Sequence, residues 1–478
     1  MLLSSIIDVI NPHEIQSYNK DKNIRYITAN SKLIKKNSIY ITDFTKNIKK
    51  AFIHQAIING TIAILTNKRI NNLKIPQFIV ENLSSSVDLV LNFIKPFPPH
   101  NMIGITGTNG KTSVVWLVSS ILKSSGLNVK SLGTLGYYIN QKKISETILT
   151  TPEKEELHQL SHSSSSEKVE FVFEVSSHGI SKNRIKNLPI NIAAITNITQ
   201  DHLDYHKTFI NYRNAKFKFF LKYLLKRGIA IVNDNINGIN DLKQKLKKRN
   251  VSIITYGKKT SNINCFYAKN ICKIKVFSKI YPIKFYVTNN FEFENLACSV
   301  CCCLALGLKI KEIINSITKI SKPEGRMQLV NSLRNGAKIF VDFAHTPDAL
   351  KNILDSSDYY KKPNLVFGCG GDRDKGKRTI MGKIANKYAN KVYITDDNPR
   401  NENSGFIRKT IHSHCPRAIN IGNRRLAIKA AIENLNSNEV LIISGKGHEK
   451  KQIIKNTAIN FDDVKVANHY IKKKNLKI

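Results

Sequence analysis

Between a short apolar run, NMIGIT at 101–106, and a longer run, KTSVVWLVSSILKSSG at 111–126, the chain reads Gly107-Thr108-Asn109-Gly110-Lys111-Thr112-Ser113. A strand that turns through two glycines into a helix opening on Lys-Thr is the context of a phosphate-binding loop. Glycines let backbone N–H groups converge on phosphate oxygens, and the N-terminus of the helix adds positive potential. Lys111 would neutralise the β- and γ-phosphates and Thr112 would bind Mg²⁺. The strict GxxxxGK[ST] spacing fails, because its first glycine would fall on Ile105. A glycine turn that merely caps a helix is the bland alternative, and a nucleotide triphosphate site is the expectation.

The same strand-then-helix rhythm continues on both sides of a break. Apolar strands are expected at 170–175, 191–197 and 228–232, and a second alternating set at 338–342, 364–367, 391–395 and 439–443. Strands alternating with helices indicate a parallel sheet covered on both faces. The prolines of PFPPH (96–100) cannot continue regular structure, and KPEGR (322–326) offers a second break. At about 150 residues per domain, 478 residues suit three α/β units. These are 1–98, with a helix near 51–58; 99–325, a central P-loop-type parallel-sheet unit; and 326–478, a Rossmann-like unit.

Composition narrows the classes. With 41% hydrophobic and 23% charged residues the chain is globular, and its longest apolar run, 296–308, is too short to span a bilayer. The start MLLSSIIDVI has no basic region before its apolar stretch, so a cytoplasmic protein is expected. Lys and Arg total 75 against 35 Asp and Glu, an excess of +40 that suits polyanions: nucleic acid, acidic membrane or phosphorylated small molecules. It is spread through the sequence rather than gathered in one stripe, which makes a basic nucleic-acid-binding NTPase the rival from another class. Eight cysteines in so long a chain do not form a disulfide framework. Cys298, Cys301, Cys302 and Cys303 fall in an apolar stretch closed by Gly307 and read as a buried helix. HSHC at 412–415 reads as incidental.

Six motifs then occur in one order: TGTNGKTS, EVSSHGI at 174–180, NITQDHLDYH at 197–206, PEGRMQ, VDFAHTPDAL at 341–350 and FGCGGDRDKGKR at 367–378. Together they closely resemble the Mur ligases, ATP-dependent amide-forming enzymes of peptidoglycan precursor synthesis. The resemblance covers 101–463 well and the first hundred residues loosely. It implies ATP contacts from Gly107 through Ser113 and from Asn295, Arg326 and Asp342. Glu174 ends a buried strand, where a carboxylate needs a cation or donors, and His202 follows the next strand at the same sheet edge, where α/β sheets bind substrates. Thr112 and Glu174 would hold one Mg²⁺ and His202 a second. The family also uses a carbamylated lysine as a metal ligand, which matches Lys216; the residues alone would read Lys216 as an ordinary helix lysine. Lys111, Lys216 and His202 are the expected catalytic groups.

Contacts to a UDP-muramoyl dipeptide carry over to Ser31, Thr150, Thr151, Ser176 and Arg184, and to Leu149 and Lys182, where relatives commonly have Asn and Gln. TKNIKK at 45–50 lacks the glycine-containing pattern expected near uridine, and Glu292 replaces an Asn before Asn295. Asp397-Asn398-Pro399-Arg400 matches members that add diaminopimelate rather than lysine. Diaminopimelate carries a second carboxylate, which a bidentate arginine suits. Arg373 and Arg400 would hold carboxylates, Glu449 the distal ammonium, and Gly445 a backbone contact. Lysine-adding and folylpolyglutamate-type relatives, and an inactive binding remnant, stay open as alternatives. The expected partners are small molecules, with no nucleic acid, and the chain is expected to be a monomer.

Overall fold

Four sheets organise this computed structural model, which describes residues 1–44, 50–268, 271–285, 290–355 and 361–476. The segment at 45–49, on which the uridine-loop expectation falls, lies outside the described residues.

The first sheet runs Glu14–Gln16, Gln77–Ile79, Thr61–Thr66, Ser38–Thr42, Tyr26–Thr28, parallel except for its first pair. Leu3 and Ile6 from the helix Leu3–Ile10 and Val87, Val90 and Leu91 from Leu83–Ile94 pack on Ile27, Ile39, Leu65 and Phe78. The helix Lys50–Ile58 covers the other face through Ile53 and Ala56.

The second sheet has eleven strands. From Ser252–Tyr256 through Leu224–Asn233, Ile190–Ile195, Asn101–Thr106 and Glu170–Glu174 to Val129–Gly133, every neighbouring pair is parallel. Its flanks differ from the all-parallel expectation: Gly136–Ile139 and Lys142–Ser145 continue one edge antiparallel, as do Ile271–Val276 and Lys279–Pro282 the other. The cause is connection length. A parallel neighbour needs a crossover of about a dozen residues, whereas Thr134-Leu135 alone joins 129–133 to 136–139. Val114, Val118 and Ile121 from the helix Lys111–Ser124, together with the cysteine-bearing helix Asn290–Ala305, bury one face. Phe217, Phe219, Leu242 and Leu246 bury the other. All eight cysteines are buried free thiols, so the apolar reading of 298–303 holds.

The third sheet runs Gln328–Ser332, Lys338–Asp342, Val440–Ser444, Asn364–Phe367, Val392–Ile394, Ile419–Asn420, with only its first pair antiparallel. Helices Pro347–Leu354, Lys377–Tyr388 and Ser404–His412 bury one face; Arg424–Glu433 and Asp463–Asn475 bury the other. A separate hairpin, Lys451–Ile454 with Thr457–Asn460, was not expected. Ligands gather at the carboxyl ends of parallel strands. Here those ends carry the phosphate loop, Glu174 and His202 in the second sheet, and Asp342, GCGGD, DDNPR and GKGHE in the third.

Candidate active site

The phosphate loop is built on backbone that only glycine adopts without strain. Gly107 has φ 146° and Gly110 φ 86°. A Cβ on Gly107 would lie 1.8 Å from Thr196 Oγ1, and one on Gly110 would lie 2.2 Å from Asn295 Oδ1. Gly110 therefore lets the helix Asn290–Ala305 press against the loop, which puts Asn295 beside it. The Thr108 and Asn109 amides donate to the Asn197 carbonyl oxygen and Oδ1, both at 2.9 Å, which fixes the loop to the next strand's exit. Lys111 folds back, donating from Nζ to the Gly107 and Thr108 carbonyls at 2.8 and 2.7 Å. The cleft above, about 270 Å³, is lined by Thr108 through Ser113, Thr150, Glu174, Ser176, His202, Glu292, Asn295, Arg326 and Asp342. Gly107 lies beneath it.

Thr112 Oγ1 donates to Glu174 Oε1 at 2.9 Å. Oxygen ligands at 2.0–2.1 Å in an octahedron sit about 2.9 Å from their neighbours, so this pair fits two adjacent corners around Mg²⁺. Among the described residues no three His, Cys, Asp or Glu side chains gather as a metal cage. Glu174 is held by the backbone N–H and hydroxyl of Thr134, at 2.8 and 3.1 Å. Gly133 leaves room for it, since a Cβ there would lie 2.3 Å from Glu174 Oε1.

Burial holds the His202 imidazole near 4, against the pull of Asp201, so at neutral pH the ring is uncharged and has a lone pair to offer a metal. Lys216 is buried, donates from Nζ to the Gly107 carbonyl at 2.7 Å and sits 4.5 Å from the centroid of the Tyr212 ring. Burial first, and then the neighbouring Lys111, push its amine well below the ordinary lysine range.

The C-terminal unit reaches into the loop. Arg326 donates from Nη2 to Thr112 Oγ1 at 3.0 Å, with its guanidinium 4.3 Å above the centre of the Phe343 ring. Asp342 accepts from the Met327 and Ala344 amides at 2.6 and 2.7 Å, which ties the segment carrying Arg326 to the exit of the strand Lys338–Asp342. Asn109 donates to Asp348 and accepts from Thr346, both at 3.3 Å.

The residues expected to meet the UDP substrate are divided. Thr150 and Ser176 line the cleft. Thr151 is buried behind them, donating to the Glu174 carbonyl at 2.9 Å and accepting from the Ser176 amide at 2.9 Å. Arg184 is spent on protein groups: its Nη1 donates to the Thr151 carbonyl at 2.9 Å and its Nη2 pairs with Glu153 at 2.7 Å. Leu149 is exposed, Lys182 caps the short helix Ser177–Ser181, and neither lines the cleft. Ser31 sits in the turn Ser31–Leu33 of the first unit, its carbonyl accepting from Asn59 at 2.8 Å, away from the cleft. Glu292 lines the cleft and pairs with Lys322 at 2.6 Å.

A second chamber, about 170 Å³, holds Arg373, Asp397, Asn398, Arg400, Gly445 and Glu449. Asp201, His202, Phe343 and His345 line both spaces, so the chamber adjoins the nucleotide cleft across these side chains. Arg400 has φ 51° and donates from Nη1 to the Gly371 carbonyl at 2.9 Å. Burial and the nearby Arg373 guanidinium both lower it. Two crowded guanidiniums gain from an anion between them. Pro399 does not line the chamber; its carbonyl packs where a Gly371 Cβ would stand, at 1.9 Å. Sequence reasoning missed three parts of this site. The hairpin is an outer wall behind the 397–400 segment, outside the lining itself: Gln452 donates to the Asp397 carbonyl at 2.7 Å, and the Arg400 amide to the Ile453 carbonyl at 3.1 Å. Lys446 anchors that wall, and Thr134 orients Glu174. Glycines flank the last two, in GTLG and SGKG, and those turns are the only local signal for either.

A phosphate-binding loop beside an arginine-bearing chamber suits an ATP-dependent acid–amine ligase. Residues 105–303 match the Mur ligase middle domain, and residues 325–447 match the Mur ligase glutamate ligase domain. The UDP-N-acetylmuramoyl-L-alanyl-D-glutamate–2,6-diaminopimelate ligase of Rickettsia montanensis is 34% identical over 475 residues, covering 96% of this chain and 98% of its own. Its counterpart in Rickettsia prowazekii (strain Madrid E) is 36% identical over 468 residues, covering 95% and 96%. A solved structure of a ligase of that name superposes with a TM-score of 0.62 at 25% identity, over 98% of this chain and 99% of the other. The chain belongs to the Mur ligase family.

Proposed function

We propose that this protein joins meso-2,6-diaminopimelate to the D-glutamate of UDP-N-acetylmuramoyl-L-alanyl-D-glutamate with cleavage of ATP, in the cytoplasmic synthesis of peptidoglycan precursors. Residues 1–98 take the UDP end, 99–325 the nucleotide and 326–478 the amine. The observation that carries the reading is the junction of the two spaces at Asp201, His202, Phe343 and His345. It would bring an activated carboxylate and an incoming amine next to each other.

The D-glutamate carboxylate attacks the γ-phosphorus of ATP, which releases ADP and leaves an acyl phosphate. The amine attacks the acyl carbon, a tetrahedral intermediate forms, and inorganic phosphate departs with the C–O bond electrons. Lys111, once turned from the Gly107 and Thr108 carbonyls, and Arg326 would stabilise the oxygens on which negative charge gathers in both steps. Thr112 and Glu174 suit one Mg²⁺, and His202 with a carbamylated Lys216 a second; bound there, the ions screen charge on the phosphates. Carbamylation needs a neutral amine to attack CO₂, and the burial of Lys216 favours that form. Arg373 and Arg400 receive the distal carboxylate of diaminopimelate and Glu449 its ammonium.

The test is phosphate release by the purified protein with ATP, the muramoyl dipeptide and one amine at a time. Turnover with diaminopimelate well above that with L-lysine or L-glutamate is expected, and none without the dipeptide. Faster turnover with L-lysine, or ATP hydrolysis driven by DNA or RNA alone, overturns the reading.

A further inference from the structure

The amine chamber is backed by one cation that the reaction above leaves unused. Lys446 is fully buried and does not line the chamber. Its Nζ donates to Asn398 Oδ1 at 3.1 Å, Glu449 Oε2 at 3.1 Å and the Lys451 carbonyl at 2.6 Å. An ammonium has three donors, so all are committed and none remains for a ligand. Glu449 Oε2 also accepts from Asn398 Nδ2 at 2.9 Å, whereas among the described residues Oε1 accepts no hydrogen bond. Glu449 lines the chamber while Lys446 stands behind it. Asn398 Oδ1 further accepts from the Ile453 amide at 2.9 Å, so the same triad ties the hairpin wall in place.

We propose that Lys446 is a positioning residue for amine recognition: it clamps Glu449 through Oε2 so that Oε1 faces the chamber as the acceptor for the substrate's distal ammonium. The inference rests on the reading of this chamber as the amine site. A carboxylate on three rotatable bonds that is held at one oxygen keeps the other aimed, and the substrate need not supply the ordering entropy. The shared carboxylate also lies between two ammonium groups when substrate is bound, so each side neutralises half of it. Without Lys446, Glu449 would collapse toward Arg400 or Arg373, the cations otherwise free to meet the substrate's carboxylate.

The experiment compares the full-length wild type, Lys446→Met, Glu449→Gln and the double variant, with kcat and KM taken for ATP, the muramoyl dipeptide and diaminopimelate, and with thermal melting alongside. Lys446→Met is expected to raise the diaminopimelate KM about tenfold or more while both other KM values stay within about twofold. The double variant is expected to be no worse than Glu449→Gln, because a residue acting through another adds nothing once that other is gone. A diaminopimelate KM unchanged in Lys446→Met, a rise shared by all three substrates, or additive losses in the double variant overturn the proposal. If Lys446→Met does not fold, the double variant against Glu449→Gln decides alone, since it buries no unpaired carboxylate. If Glu449→Gln leaves the diaminopimelate KM unchanged, the amine-site reading fails with it; a rise there with none in Lys446→Met fails the positioning role only.

Discussion

Arg326 donates to the hydroxyl of Thr112 at 3.0 Å, joining residues 214 positions apart across two sheets. Thr112 also donates to Glu174, so one hydroxyl carries both the cation from the third sheet and the carboxylate from the second. Arg326 is half-buried, and stacking on Phe343 fixes its plane. Replacing it by Met keeps much of the stacked volume and removes the charge. The expected outcome is an ATP KM raised about tenfold or more and a lower kcat, with the KM for the amine little changed. Steady-state phosphate release at varied ATP checks this. An ATP KM within twofold of wild type would contradict a nucleotide role for Arg326.

Lys216 gives a sharper prediction because its chemistry leaves a mark. The amine lies against the Gly107 carbonyl, and burial first, then Lys111, push it well below the ordinary lysine range. With [¹³C]bicarbonate the wild type should show a carbamate carbon by NMR that Lys216→Met lacks. Lys216→Met should also lose ligation by at least about a hundredfold with its melting temperature near that of wild type, since a Met fills the same buried space. Activity that survives both this variant and the thorough removal of CO₂ would refute carbamylation.

What could be read from the sequence follows from how local each cause is. The strands 101–106, 338–342 and 364–367 and the helix after Gly110 are set by short apolar runs between turn residues, and they stand where the pattern puts them. The phosphate loop is legible for the same reason, since two positive-φ glycines and Lys111 are all within six residues. The antiparallel flanks were not legible, because an apolar run does not say which strand it pairs with; only the two-residue link at Thr134-Leu135 decides it. Lys216 has the helix spacing of Lys218, and only the fold shows that the first is buried against Gly107. Arg184 is a second such case. A guanidinium suits an anionic substrate, and only the fold shows that its two terminal nitrogens also meet the Thr151 carbonyl and Glu153. Lys446 and the hairpin from 451 depend on contacts with 396–400, some fifty residues away, which no local pattern encodes.

The seam between the first two sheets predicts a pH response. Helix Lys154–Ser161 docks on the N-terminal unit: Gln159 accepts from the Ile27 amide at 3.1 Å and donates to its carbonyl at 2.8 Å, and His158 meets Asn92 at 3.1 Å. His158 and His162 stack with ring centroids 3.8 Å apart, both buried. Burial, and then the charges of His162 and Lys154, lower His158 to about 3; burial, opposed by a hydrogen bond to the His158 backbone and aided by Lys130, lowers His162 to about 4. In an unfolded chain both imidazoles titrate near 6.5. Above that value neither state binds the protons and the pair makes no difference to stability. As pH falls from about 6.5 toward 4, the unfolded chain takes up protons that the folded protein refuses, so stability declines, by at most about 1.4 kcal/mol per pH unit for each group. His162→Phe keeps a ring in the stack and removes one titrating group. Its melting temperature should therefore fall less steeply than that of wild type between pH 6.5 and 4.5, and the two should run parallel above pH 7. Calorimetry across that range checks it, and equal acid slopes would show that the stacked pair does not govern the acid stability of this seam.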